Sequence, residues 1–150
     1  MRRAQIREEI FKLLFRVEFN STEDMPAQIA HFFEDPCIGI EDGEETGDVK
    51  QIPETDVLYI TQKYEKIAAR IPELDSLIDS SAKGWKVSRL SKVDLTILRL
   101  AVYEMRFDDD IPVSVAINEA VELAKKFGQD ESPSFINGIL AKLAKATDNE

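Results

Sequence analysis

The sequence predicts an all-α fold of about seven helices. Three observations carry that expectation. First, residues 89–140 hold three helical patterns separated by two short polar breaks. Second, the same 3.6-residue spacing of apolar side chains recurs upstream. Third, no stretch shows the strict alternation of a half-buried strand, and no 20–50-residue repeat is present.

Each element follows from its own pattern. The first helix is expected from about Arg3 to Glu18. Ile6, Ile10, Leu14 and Val17 share a side, and Phe11 and Leu13 widen the stripe. Asp24 is a candidate cap for a second helix, with Pro26 in its first turn and Ile29, Phe32 and Phe33 as its apolar face. It should end near Asp35-Pro36. The stretch 36–54 has three glycines, two prolines and many acids, and it reads as an acidic loop whose composition cannot bury much apolar surface. Thr55 is expected to cap a third helix running through Val57, Ile60, Tyr64 and Ile67 to about Arg70. Pro72 separates it from a short helix carrying Leu74, Leu77 and Ile78, which Gly84 ends. The fifth helix, about Ser91 to Phe107, carries Val93, Ile97, Leu98, Leu100, Ala101 and Met105 on more than one face, so it should lie centrally in a core. The sixth, about Pro112 to Phe127, places Val113, Ile117, Ala120, Val121 and Ala124 on one stripe before a Gly128 stop. The seventh, about Pro133 to Lys145, should bury Phe135, Ile136, Ile139, Leu140 and Leu143.

These 150 residues suffice for one domain, or for two packed helical subdomains at about 1–83 and 84–150. No apolar run approaches membrane-span length and no signal-peptide pattern opens the chain, so a cytoplasmic location is expected. A single cysteine, Cys37, excludes an internal disulfide framework, and an inert thiol is its simplest reading. The net charge of −10 opposes non-specific nucleic-acid binding, because phosphates feel the summed field. The charge is unevenly spread, however. Residues 1–16 hold Arg2, Arg3, Arg7, Lys12 and Arg16 against Glu8 and Glu9, whereas residues 34–56 hold nine acids and one lysine.

Nothing in the sequence converges on catalysis or on a cofactor. There is no P-loop and no nucleophile elbow. His31 is the sole histidine and reads as a helical surface residue. Asp108, Asp109 and Asp110 lack the glycine-turn spacing of a calcium loop and read as a solvated or capping run. No metal site or cofactor is expected. Arg99, in an apolar helix, and Glu119, mid-helix, suggest a buried ion pair or hydrogen-bond network joining the fifth and sixth helices.

Three segments, ILRLAVYE (97–104), IPVSVAINEAVELAKKFG (111–128) and SFING (134–138), resemble the bacterial transcription antitermination factor NusB family. WKVSRL (85–90) and the opening RRAQIREEIFKLLF extend the resemblance over most of the chain, with 36–54 matching poorly. The resemblance implies a NusB-like double helical bundle. It implies an antitermination factor that binds boxA RNA together with ribosomal protein S10 (NusE). Such an assembly acts on the RNA polymerase elongation complex through other Nus factors, with no bond made or broken.

The resemblance also assigns residues. Arg2, Arg3 and Arg7 fall on the family's RNA-binding arginine segment, where a guanidinium fork suits phosphate. Phe135 and Asn137 of SPSFING are candidates for base stacking and edge hydrogen bonding, against the alternative of a core residue and a local amide. Phe15 stands where the family often has tyrosine and is expected in or beside the core. Ser134 stands where some members have a basic residue. Glu104, Asn118 and Glu122 are the candidate protein-partner surface, with membership of the Arg99 network the alternative for Glu104.

Two other readings remain open at the level of sequence. One is a non-catalytic interaction module with little RNA affinity, including a homodimer packed through Ala116, Ala120 and Ala124. The other is an accessory domain of an rRNA-modifying system, since similar domains occur fused to rRNA methyltransferases.

Overall fold

The computed structural model describes residues 2–34, 52–82, 84 and 86–148, with side chains given as far as Ala146. Among these residues there are seven α-helices, two 3-10 turns and no strand, so the expected all-α class holds. The helices are α1 (Arg3–Phe15), α2 (Met25–Glu34), α3 (Glu54–Ala68), α4 (Ile71–Ser81), α5 (Lys92–Phe107), α6 (Val113–Phe127) and α7 (Ser132–Asp148). The turns are Arg16–Glu18 and Val87–Arg89. The acidic stretch expected as a loop, Cys37 and Trp85 lie outside the described residues, apart from Ile52, Pro53 and Glu54 at the loop's end.

The chain forms two compact units, Met1–Ala68 and Ala69–Glu150. A division near residue 83 was expected, which would leave α4 with α3. Instead α4 packs against α5 and α7. Leu74 and Ile78, one helical turn apart, are fully buried and give it that face.

In the first unit α1 packs against α3. Ile10, Leu13 and Leu14 of α1 and Ile60, Tyr64 and Ile67 of α3 are buried, each set at the three- and four-residue spacing of a helical stripe. α3 begins one residue before the expected Thr55 cap, and Glu54 and Asp56 place negative charge in its first turn. Arg16 ties the end of α1 to α2. Its Nη1 donates to the Gln28 carbonyl at 3.3 Å and to Gln28 Oε1 at 3.2 Å. Its guanidinium also lies 5.1 Å from the Phe32 ring centroid. Ser21 and Asp24 exchange hydrogen bonds just before α2, at 2.9 and 3.3 Å.

In the second unit α5 is central. Every residue from Leu95 to Glu104 is buried, as its apolar faces led one to expect. α4, α6 and α7 all pack on it. Burying each large aliphatic side chain such as Ile97, Leu98 or Leu100 contributes about 1.5–3 kcal/mol. Ser91 caps the helix, its Oγ accepting the Asp94 N–H at 3.1 Å. Arg99 grips Asp75 of α4 with two nitrogens, Nε to Oδ1 at 2.8 Å and Nη2 to Oδ2 at 2.9 Å. The sequence pointed to a network with Glu119 on α6; the two-pronged contact of the guanidinium goes to Asp75 on α4.

α6 stops at Gly128, whose N–H donates to the Ala124 carbonyl at 2.9 Å. Here the requirement is space. A Cβ on Gly128 would lie 2.6 Å from Ser132 Cβ and 2.8 Å from the Ala124 oxygen. Ser132 is itself buried and accepts the Gln129 N–H at 3.0 Å, forming the corner into α7.

Candidate nucleic-acid interface

α1 carries the basic end of the chain. Arg2 precedes the helix in extended conformation, and Arg2 and Arg3 are exposed. Arg7 is different. It lies one turn along from Arg3, but only 8% of it is accessible. The same helix turn explains why. Glu9 and Ile10 beside it are buried, so α1 is already sinking into the first unit at that point. The other cations of the segment are engaged. Lys12 bridges Glu8 at 3.3 Å and Glu9 at 3.6 Å, and Arg16 holds α2. Of the five basic residues expected to make this end electropositive, Arg2 and Arg3 are the exposed ones, and Arg2 has a contact of its own.

The aromatic residues continue along α1. Phe15 is half-buried, 6.2 Å from Phe11 and 5.1 Å edge-on from the exposed Phe19, in keeping with a position beside the core.

The second unit carries the other two candidates at the start of α7. Ile136, Ile139, Leu140 and Leu143 are buried and fix the inward face of the helix. Phe135 was expected among them but is only half-buried, because the helical spacing turns it to the flank of that face. It can therefore pack and still offer ring surface. Asn137 is exposed, as are Ser134 and Gly138. A partly open ring and an exposed amide at the start of one helix are the two kinds of group that single-stranded bases use, one for the π-face and one for the edge.

The candidate partner residues separate. Asn118 and Glu122 are exposed one turn apart on α6, and Glu122 Oε1 accepts from Lys125 Nζ at 3.2 Å. Glu104 is 1% exposed within α5 and cannot form part of a contact surface as expected. A helix covered on all sides buries its acids with its leucines. The alanine stripe behind the dimer reading is also internal, since Ala116, Ala120 and Ala124 are buried where α6 meets α5 and α7. No second copy can use it.

The remaining polar groups behave as surface or structural elements. His31 is exposed and lies 3.8 Å from Glu34. Asp108 accepts the Asp110 N–H at 3.2 Å in the turn before α6. Among the described residues no group of His, Cys, Asp or Glu side chains could hold a metal ion. None of the helices is long and apolar enough to cross a membrane. Tyr64 has its phenol pKa raised above 10.0 by burial and, secondarily, by the charge of Glu65.

Comparison with known proteins adds the family context. The profile of the NusB family matches residues 4–145. The match spans both compact units and every candidate residue except Arg2 and Arg3, which fall just before it. The transcription antitermination protein NusB of Agathobacter rectalis is 48% identical over 144 residues, covering 96% of this chain and 100% of that protein. Its counterpart in Lachnoclostridium phytofermentans is 42% identical over 143 residues, covering 95% and 98%. A T. maritima NusB structure is similar with a TM-score of 0.77 at 32% identity, covering 97% of this chain and 92% of that one. A crystal structure of antitermination factors NusB and NusE in complex with dsRNA has a TM-score of 0.75 at 23% identity, covering 96% of each chain, and attests the shared fold.

Proposed function

This chain belongs to the NusB family, and from that premise we propose that it is a transcription antitermination factor. In this reading it binds boxA-like single-stranded RNA together with ribosomal protein S10 (NusE). The complex then joins the RNA polymerase elongation complex through other Nus factors and favours processive transcription of ribosomal RNA operons. The observation that carries the reading is the family match over residues 4–145, supported by a relative 48% identical across its whole length. The protein acts by assembly, without catalysis and without a cofactor, in the cytoplasm.

The residue roles are those the resemblance implies, kept where exposure allows them. Arg2 and Arg3 supply exposed positive charge for phosphate, with Arg7 supporting them from a more buried position. Phe135 offers a stacking surface and Asn137 an edge contact. Asn118 and Glu122 are the residues proposed to meet the protein partner. The net charge of −10 explains why a partner is needed. A basic ribosomal protein docked on acidic surface gains from complementary charge and cancels part of the field that repels RNA.

The test is a titration of boxA-like RNA with and without saturating S10 at matched salt. RNA affinity should rise with S10 by roughly 5–150-fold, the usual range of coupling between two ligands. By linkage the RNA must strengthen S10 binding by the same factor. Equal affinity in the two titrations overturns the cooperative mechanism and favours an interaction module with little RNA affinity.

A further inference from the structure

The segment from Ser80 to Val93 contains no acidic residue and four basic ones, Lys83, Lys86, Arg89 and Lys92. In a chain of net charge −10 this is a strong local segregation of charge. Lys83 lies outside the described residues; Lys86, Arg89 and Lys92 are all exposed. They belong to the connection between α4 and α5 and to the first residue of α5.

The described residues of this connection have defined backbone conformations. Gly84 leaves α4 at φ +83, a conformation that glycine adopts without strain. Lys86 is extended, Val87–Arg89 form one 3-10 turn, and Leu90 and Ser91 return to extended backbone. Both ends are fixed. Asp79 of α4 accepts the Val87 N–H at 2.8 Å, and Ser91 caps α5. The Arg89 N–H donates to the Lys86 carbonyl at 2.8 Å, which holds the two residues next to each other on the turn.

Their electrostatic state differs from that of the cations held in ion pairs. Lys12 pairs with Glu8 and Glu9, Arg70 with Glu73, Arg99 with Asp75 and Lys125 with Glu122. Lys86 and Arg89 make no ion pair among the described residues. Two exposed cations on one short turn, neither in an ion pair among the described residues, are suited to a polyanion.

We propose that Lys86 and Arg89, flanked by Lys92, form a second phosphate-contact strip that takes the backbone of single-stranded RNA. The inference rests on the RNA-binding reading above and adds to it a contact on the second unit. The protein partner in that reading is a basic ribosomal protein, which a basic strip would repel. RNA is the polyanion of the assembly. Arginine offers phosphate a planar fork and lysine a mobile point charge, so the strip contributes attraction without reading sequence.

The experiment uses the full chain carrying K86Q and R89Q together. Lys92 is left in place because it begins α5. Affinity for a boxA-like RNA and for a scrambled RNA of equal length is measured between 50 and 200 mM salt, as a log–log plot. Each phosphate neutralised on a single strand adds about −0.7 to the slope, so the double variant should be shallower by about 1.4. Both RNAs should weaken by the same factor, because a phosphate contact carries no sequence information. Helicity and melting temperature should not change.

The controls are Arg3→Ala and the pair K142Q/K145Q, exposed lysines of α7. An unchanged slope in K86Q/R89Q, with Arg3→Ala still lowering it, overturns the strip and leaves RNA binding standing. An equal loss in K142Q/K145Q assigns the effect to the overall field and also overturns the strip. Absence of RNA binding by the unaltered chain, even with S10, overturns both readings together. Intact RNA binding with loss of affinity for polyglutamate would assign the strip to an acidic protein instead.

Discussion

Arg99 and Asp75 lie 24 residues apart in the chain and meet through two parallel hydrogen bonds, 2.8 and 2.9 Å long, that tie α5 to α4. Arg99 is buried and Asp75 retains 24% side-chain exposure. Asp75→Ala removes the carboxylate and leaves the guanidinium buried without it. Breaking a buried pair in this way costs about 3–5 kcal/mol, and the partial exposure of Asp75 puts the expected loss near the low end. Replacing both residues with apolar side chains, Arg99→Met with Asp75→Leu, should cost less than Asp75→Ala alone. Urea denaturation of the three proteins checks the order.

Gly128→Ala should destabilise the protein by about 1–3 kcal/mol, the usual range for overpacking. The added Cβ would lie 2.6 Å from Ser132 Cβ, and truncating Ser132 to alanine leaves that atom in place. Ser132→Ala therefore cannot rescue Gly128→Ala. Recovery of stability in the double variant would show that the serine hydroxyl, rather than the carbon and the Ala124 oxygen, sets the limit.

Arg3→Ala and Arg7→Ala should differ in kind. Arg3 is exposed, so its loss should reduce the salt slope of RNA binding by about 0.7 with melting unchanged. Arg7 is buried and partnered, so its loss should lower stability by about 1–3 kcal/mol as well. Identical melting curves for the two variants would contradict the burial of Arg7.

Phe135→Ala should weaken RNA binding by about 1–3 kcal/mol, the worth of one base stacked on an aromatic ring. Being half-buried, it should also lose some stability, so binding is compared on the folded fraction. Asn137→Ala should fold normally and discriminate less between boxA-like and scrambled RNA. Full discrimination in that variant removes Asn137 from the site.

Alkaline pH should expose Tyr64. Its folded pKa lies above the unfolded value of 10.0, so the folded state favours the neutral phenol. That contribution is complete below pH 10 and is lost as pH rises through the folded pKa. Tyr64→Phe should leave stability near neutrality almost unchanged and flatten the fall above pH 10, as read by denaturation at a series of pH values.

The helices and the centrality of α5 were legible because periodicity reports which faces are apolar. Asp75 was not legible as the partner of Arg99, since a contact between separate helices leaves no local pattern. The choice between network and surface for Glu104 was open for a related reason: residue type was visible, but the burial that excludes the surface was a property of three other helices. The same limit applies at the candidate site. Composition marked α1 as basic, yet Arg3 and Arg7 differ in exposure because the helix sinks into its unit within one turn. Phe135 fell between the two readings offered for it because it flanks the buried face of α7.

The burial of α5 on every side has a consequence for synthesis. The ribosome makes Lys92–Phe107 before it makes α6 and α7, the helices that complete its cover. At roughly 5–20 residues per second, translation of the remaining helices takes on the order of two to eight seconds. During that interval the apolar faces of α5 lack the cover that α6 and α7 give them. α4 is already present and can shield one flank. The remaining apolar surface is covered only once α6 and α7 have emerged.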